Sequence, residues 1–145
     1  MPEFLRQRIE SLMLRLHSVI NHNIFVVEYD NLSDIYNVQK DKIRELVKDK
    51  LYTLTDDKLL HLKKIIDDNS IEIIHIEDNP ETFMSPSITN YLYSNDRTWR
   101  VVETTHNIWF SNSHKRIQPD GYAFCSNYHI DHNFKDTKVP FKLIE

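Results

Sequence analysis

The fold is decided by residues 99–132, which read WRVVETTHNIWFSNSHKRIQPDGYAFCSNYHIDH. This stretch holds both tryptophans and the only cysteine of the chain. Branched and aromatic residues, which favour strands, are concentrated at 99–105, 108–110 and 122–125. The stretch therefore predicts a block of β-strands.

A turn is expected at residues 118–121, Gln-Pro-Asp-Gly. Pro119 fixes its own φ near about −65°, and Gly121, the only glycine, can adopt a positive φ without a Cβ clash. We therefore expect the strands on either side of this turn to reverse direction, as in an antiparallel meander.

Earlier in the chain, apolar residues recur every three or four positions, as in amphipathic helices. The predicted helices span 4–20, 33–51 and 56–67, with Ser33 and Thr55 placed to cap the second and third. Strands are predicted at 24–29 and 71–77, and a short helix is expected to start at Ser85-Pro86. The order predicts an α+β fold, with N-terminal helices packed on one face of a largely antiparallel sheet.

The composition predicts one domain that works inside a cell. The length of 145 residues suits a single core, and no repeat or linker marks a boundary, so we expect residues 1–145 to form a single α+β domain. No apolar run is long enough for a membrane span, and a lone cysteine suits a reducing compartment, so a cytoplasmic protein is expected. The composition is also typical of AT-rich genomes, such as those of many large viruses and phages.

Two function classes have little support. One glycine cannot form the glycine-rich loops that hold nucleotide phosphates. A net charge of −4, shared by both halves of the chain, argues against nucleic-acid binding.

Metal-ligating residue types collect at residues 127–132, Asn-Tyr-His-Ile-Asp-His. This run is similar to the H-x-H-x-D-H signature of metallo-β-lactamase-type hydrolases, with Asn127 in place of the first histidine. That resemblance implies a metal-dependent hydrolase with His129, Asp131 and His132 as ligands. The same residues also suggest two other sites: an H-x-D iron site at His129 and Asp131, and a structural zinc site. The zinc ligands would be His106 or His114 together with Cys125, His129 and His132.

Strand geometry argues against such a site. Side chains alternate along a strand, so His129 and Asp131 would point to one face and His132 to the other. On a helix, His129 and His132 share a face but Asp131 does not. We therefore predict no bound transition metal and no cofactor.

Two other groups of residues could carry function. Cys125 is a possible nucleophile, with His106, His114 or His129 as its base. Ser111 or Ser113, beside His114, is a second possible nucleophile. The basic loop has aromatic neighbours and is a candidate binding site, comprising Trp109, His114, Lys115, Arg116 and Tyr122.

Since no motif defines an active site, the sequence favours a small intracellular binding module that acts through a protein partner or as a homo-oligomer. Its composition suits a viral or phage accessory protein. The alternative is a metal-dependent hydrolase or nuclease at the C-terminal His/Asp/Cys cluster.

Overall fold

A computed structural model describes residues 23–30 and 33–144, apart from the side chains of 33–39. These residues divide into two compact units, with the boundary between His61 and Leu62. The predicted helix at 4–20 lies outside the described residues. Whether the chain acts as one domain stays a prediction.

The first unit contains two short parallel strands and a helix. Strand β1 is Val26–Glu28, helix α1 is Ser33–Val47, and strand β2 is Leu51–Thr53, paired in the register Val26↔Leu51. Lys40 of α1 forms an ion pair of 2.9 Å with Glu28, which also accepts a hydrogen bond of 2.6 Å from Thr53 Oγ1. These contacts connect α1 to both strands.

The predicted helix at 33–51 ends earlier than expected. Residues Lys48–Lys50 form a 3-10 helix, and Leu51 already begins β2. Lys48 has a φ of 56°, which lies in the left-handed region and ends the α-helical path. The apolar spacing continued past this break and gave no sign of it.

Helix α2, Lys58–Asn69, confirms the predicted third helix with a shift of two residues. Asp57 caps it, because its carboxylate accepts a 3.0 Å hydrogen bond from the Leu60 amide. The predicted cap, Thr55, instead donates its amide to His61 Nδ1 at 3.3 Å. Ser70, at φ 50°, follows the end of the helix.

The second unit is built on a four-stranded sheet whose strand order follows chain order. All three pairings in this sheet are parallel. Its strands are β3 Ile73–Glu77, β4 Arg100–Thr105, β5 Gly121–Phe124 and β6 Phe141–Leu143. Helix α3, Pro86–Leu92, lies between β3 and β4 and begins at the proline predicted to start it. A 3-10 helix, Asn112–His114, and a π-helix, His129–Asn133, lie in the next two connections.

The predicted antiparallel sheet is therefore wrong. Asp120 and Val101 exchange two hydrogen bonds of 2.8 Å, from the Asp120 amide to the Val101 carbonyl and from the Val101 amide to Asp120 Oδ2. Because Val101 is at the start of β4, the turn at 118–121 lies beside the beginning of β4 and not at its end. Gly121 does not adopt a positive φ. The residues between β4 and β5 thus carry the chain back to the start of β4 before the turn is reached. Strand β5 then runs parallel to β4.

The predicted layer of N-terminal helices is also wrong. The described helices are few, and they alternate with strands along the chain instead of preceding them. The predicted strand at 108–110 is a turn, because Asn107 accepts hydrogen bonds from the amides of Trp109 and Phe110 at 2.9 and 3.1 Å. The remaining strands are confirmed within one or two residues at each end.

One face of the sheet contributes to the core. Ile76, Glu103 and Tyr122 are register partners on this face, and all three are buried. The rings of Tyr122 and Phe124 pack at a tilt against the Phe134 ring, at centroid distances of 5.0 and 5.1 Å. The opposite face carries the partners Glu77, Thr104 and Ala123.

Candidate functional site

Three neighbouring strands bring polar side chains together where each strand ends. Glu77 is the last residue of β3, His106 directly follows β4, and Cys125 directly follows β5. Because parallel strands end at the same edge of a sheet, these three residues meet there. The parallel order thus creates a site from residues far apart in sequence.

The three side chains form a connected row. His106 Nδ1 lies 3.7 Å from Cys125 Sγ, and His106 Nε2 lies 3.1 Å from Glu77 Oε2. We call Glu77, His106 and Cys125 the strand-end triad. A carboxylate, an imidazole and a thiol in this sequence of contacts are the components of a nucleophilic site.

A second histidine extends the row. His75 Nε2 is 2.5 Å from Thr104 Oγ1 and 3.5 Å from the other carboxylate oxygen of Glu77. Both oxygens of Glu77 therefore face an imidazole.

The surroundings of His106 favour its charged form. Its contact with Cys125 and its hydrogen bond to Glu77 raise the pKa of His106 to about 10, against the opposing effect of burial. The side chain is 23% exposed and that of Glu77 is 39% exposed, so the row is open to solvent.

The residues of the predicted metal site have different environments. His129 is buried, with Nδ1 2.9 Å from Ser126 Oγ and its ring stacked on Phe124. Asp131 and His132 are exposed, and the His132 ring stacks on Tyr128 at 4.5 Å. Among the residues that the structure describes, no group of three His, Cys, Asp or Glu side chains could hold a metal ion.

The predicted binding loop is divided between surface and interior. Trp109, His114 and Arg116 are exposed. The Lys115 side chain is completely buried and paired with Glu81 and Glu103. Tyr122 is buried, and its hydroxyl donates to Gln118 at 2.8 Å. Only part of the predicted basic patch therefore faces solvent.

An apolar surface lies on the loops that follow β4 and β5. Trp109 is 83% exposed, and Ile108 and Tyr128 are each 51% exposed. Asn133 Nδ2 donates a 2.8 Å hydrogen bond to the Ile108 carbonyl, which joins the two loops. We call Ile108, Trp109 and Tyr128 the aromatic edge.

Sequence reasoning proposed Cys125 with His106 as one of three possible bases, and the structure places His106 beside the sulfur. It missed Glu77 and His75. The only signal for Glu77 was its position at the end of a predicted strand, and that signal is useful only when the strands are known to be parallel.

No helix in the described part of the chain is long and apolar enough to cross a membrane.

Comparison with known proteins found no family model that matches the chain and no curated protein or solved structure significantly similar to it.

Proposed function

We propose that the chain is a small intracellular binding module that acts through a protein partner. The observation that carries this proposal is the exposure of the aromatic edge, above all of Trp109 at 83%. Tryptophan is the residue type most often found at binding hot spots, because it buries a large apolar area when a partner covers it. The other tryptophan, Trp99, is buried and donates to the Leu92 carbonyl at 3.0 Å.

The backbone presents Trp109 in a defined position. The Asn107 side chain accepts the Trp109 amide at 2.9 Å, and the Asn133 side chain holds the preceding carbonyl. A side chain on an ordered turn loses less conformational freedom on binding than one on a free loop. This favours a specific contact with an apolar pocket on the partner.

Charge favours a protein over a nucleic acid. Lys115, the centre of the basic loop, is buried against Glu81 and Glu103 and does not reach solvent. A nucleic acid needs several exposed cations to neutralise phosphates, and the chain carries a net charge of −4.

The test is site-specific photo-crosslinking in cells that produce the protein, with the photoreactive residue at position 109. The matched control places it at position 73, because Ile73 is also an exposed apolar residue, at 63%. We expect position 109 to crosslink to one defined protein and position 73 not to do so. A crosslink to a second copy of the chain would identify a homo-oligomer as the partner.

Binding is then measured with the purified partner. We expect Trp109→Ala to weaken the interaction by about 30-fold or more, the effect of a hot-spot residue, and Ile73→Ala to leave it unchanged. Equal affinity of Trp109→Ala and wild type, with unchanged circular dichroism, would refute the proposal.

A further inference from the structure

We infer that Cys125, His106 and Glu77 form a nucleophilic site that accepts acyl groups from esters and thioesters. This activity is separate from the proposed partner binding and does not depend on it. Three adjacent parallel strands each deliver one of the three side chains to the same edge of the sheet.

The geometry assigns a role to each group. The Cys125 sulfur is the nucleophile, and His106 Nδ1, 3.7 Å away, is its proton carrier. Glu77 accepts at the other ring nitrogen at 3.1 Å, which fixes the orientation of the imidazole and stabilises its positive charge. His75 faces the second oxygen of Glu77 and makes Glu77 a positioning residue for both rings.

The charge state supports this assignment. With its pKa raised to about 10, His106 is an imidazolium at neutral pH, with Glu77 and Cys125 as its immediate partners. An imidazolium beside the sulfur is the acid that a leaving group needs when the cysteine attacks.

Acyl transfer fits this site better than redox chemistry. Cys125 is the only cysteine in the 145 residues, so the chain offers no second thiol to close and reopen a disulfide. Nucleophilic attack needs one sulfur and one proton carrier, and both are present.

The first step forms a thioester. The Cys125 thiolate attacks the carbonyl carbon, an S–C bond forms, and the carbonyl electron pair moves to oxygen. When this intermediate collapses, the bond to the leaving group breaks, and the leaving oxygen or sulfur takes the proton from His106 Nδ1. His106 is then neutral and Cys125 is acylated.

The second step releases the acid. Neutral His106 takes a proton from water as the water oxygen attacks the thioester carbonyl. The S–C bond then breaks, so the carboxylic acid leaves and the thiolate–imidazolium pair is restored. The net reaction is hydrolysis of the ester or thioester by one water molecule.

The experiment uses p-nitrophenyl acetate as the acyl donor and the full chain as the protein. Release of p-nitrophenolate is followed over time, and the acetylated residue is located by peptide mass mapping. We expect one acetyl group on Cys125, a burst of product and then steady turnover. Cys125→Ser is expected to lose the burst.

Two further variants test the partners of the sulfur. His106→Gln should slow acetylation at neutral pH by about 100-fold, the usual contribution of a positioned acid or base. Glu77→Gln should slow it by a smaller factor and change its dependence on pH, an effect that a merely structural role would not produce. His61→Gln is the matched control, because the His61 ring contacts Thr55 and Tyr52, and it should react like wild type.

The proposal is overturned if His106→Gln and Glu77→Gln both react at the wild-type rate, or if acetyl groups are found on lysines but not on Cys125. A thioester that accumulates without turnover would overturn the hydrolytic step. Should His106→Gln fail to fold by circular dichroism, Glu77→Gln decides the matter, because the replaced carboxylate lies at the surface and the amide has the same shape.

Discussion

The Lys115 side chain lies in the interior of the second unit with two carboxylates. Its ammonium donates to both oxygens of Glu103, at 2.9 and 2.8 Å, and to Glu81 at 3.0 Å. Glu103 also accepts from the Tyr93 hydroxyl. Burial raises the pKa of Glu103, although attraction by Lys115 and the hydrogen bonds from Lys115 and Tyr93 act in the opposite direction. The lysine therefore holds two carboxylates in the interior.

Replacing Lys115 with methionine should destabilise the protein by about 3–5 kcal/mol, because it leaves buried carboxylates without a counter-charge. Unfolding in urea measures this change. Lys135→Met, at an exposed position, is the control and should change the free energy of unfolding by less than about 0.5 kcal/mol. If Lys115→Met were as stable as wild type, the buried ion pairs would not exist as described.

The lowered pKa of Asp120 predicts how the stability of the protein changes in acid. Burial acts to raise the pKa of its carboxyl, but hydrogen bonds from Arg97 at 2.8 Å and from the Val101 amide, with the charge of Arg97, outweigh burial and lower it. A lowered pKa in the folded state means that this stabilisation is present above the unfolded value and is lost as pH falls through the folded value.

The free energy of unfolding should therefore fall below about pH 3.9 in wild type, in part through protonation of Asp120. In Asp120→Asn the same fall should be shallower, as measured by urea titrations at a series of acid pH values. Asp136→Asn, at an exposed position, should keep the wild-type slope. An identical slope in Asp120→Asn and wild type would count against the contacts described for this carboxylate.

At the ends of the elements, the chain uses residues other than glycine in backbone conformations that favour glycine. Lys48, Ser70 and Asp78 have φ values of 56°, 50° and 111° and follow α1, α2 and β3. At the start of α2, Asp57 supplies the capping oxygen. The start of α2 therefore depends on the Asp57 side chain, and the helix is followed by the left-handed backbone of Ser70.

Asp57→Ala should destabilise the protein by about 1 kcal/mol, because it leaves amides of the first turn without an acceptor. Its neighbour provides the control: Asp56 is exposed and precedes the cap, so Asp56→Ala should have an effect of less than about 0.5 kcal/mol. Thermal unfolding of the two variants compares them directly. If both variants lose stability equally, Asp57 is not the cap.

The element types could be predicted because they depend on local properties. Alternation at 71–77 predicted β3, and branched residues at 99–105 predicted β4. Periodic leucines predicted α2. Strand direction could not be predicted, because it depends on where the connection returns the chain. The Pro-Asp-Gly turn looked like a hairpin, but Asp120 binds the start of β4.

The candidate sites could not be predicted in full either, because they depend on contacts between distant parts of the chain. Exposure of Trp109 depends on a turn made by Asn107, and burial of Lys115 depends on two glutamates, at positions 81 and 103. Histidine-rich composition indicated that residues 106–132 could carry chemistry. The composition did not show which histidine meets Cys125, because that contact depends on the parallel order of β4 and β5.

Both functional proposals depend on this parallel order, since it brings the strand-end triad together and places the loops of the aromatic edge after the ends of neighbouring strands. The most direct test is NMR detection of proton contacts between β4 and β5. The structure predicts contacts between Val102 and Gly121 and between Thr105 and Phe124. An antiparallel hairpin would instead bring Thr105 close to Gly121 and leave no contact between Val102 and Gly121, and that result would contradict the parallel sheet and the sites derived from it.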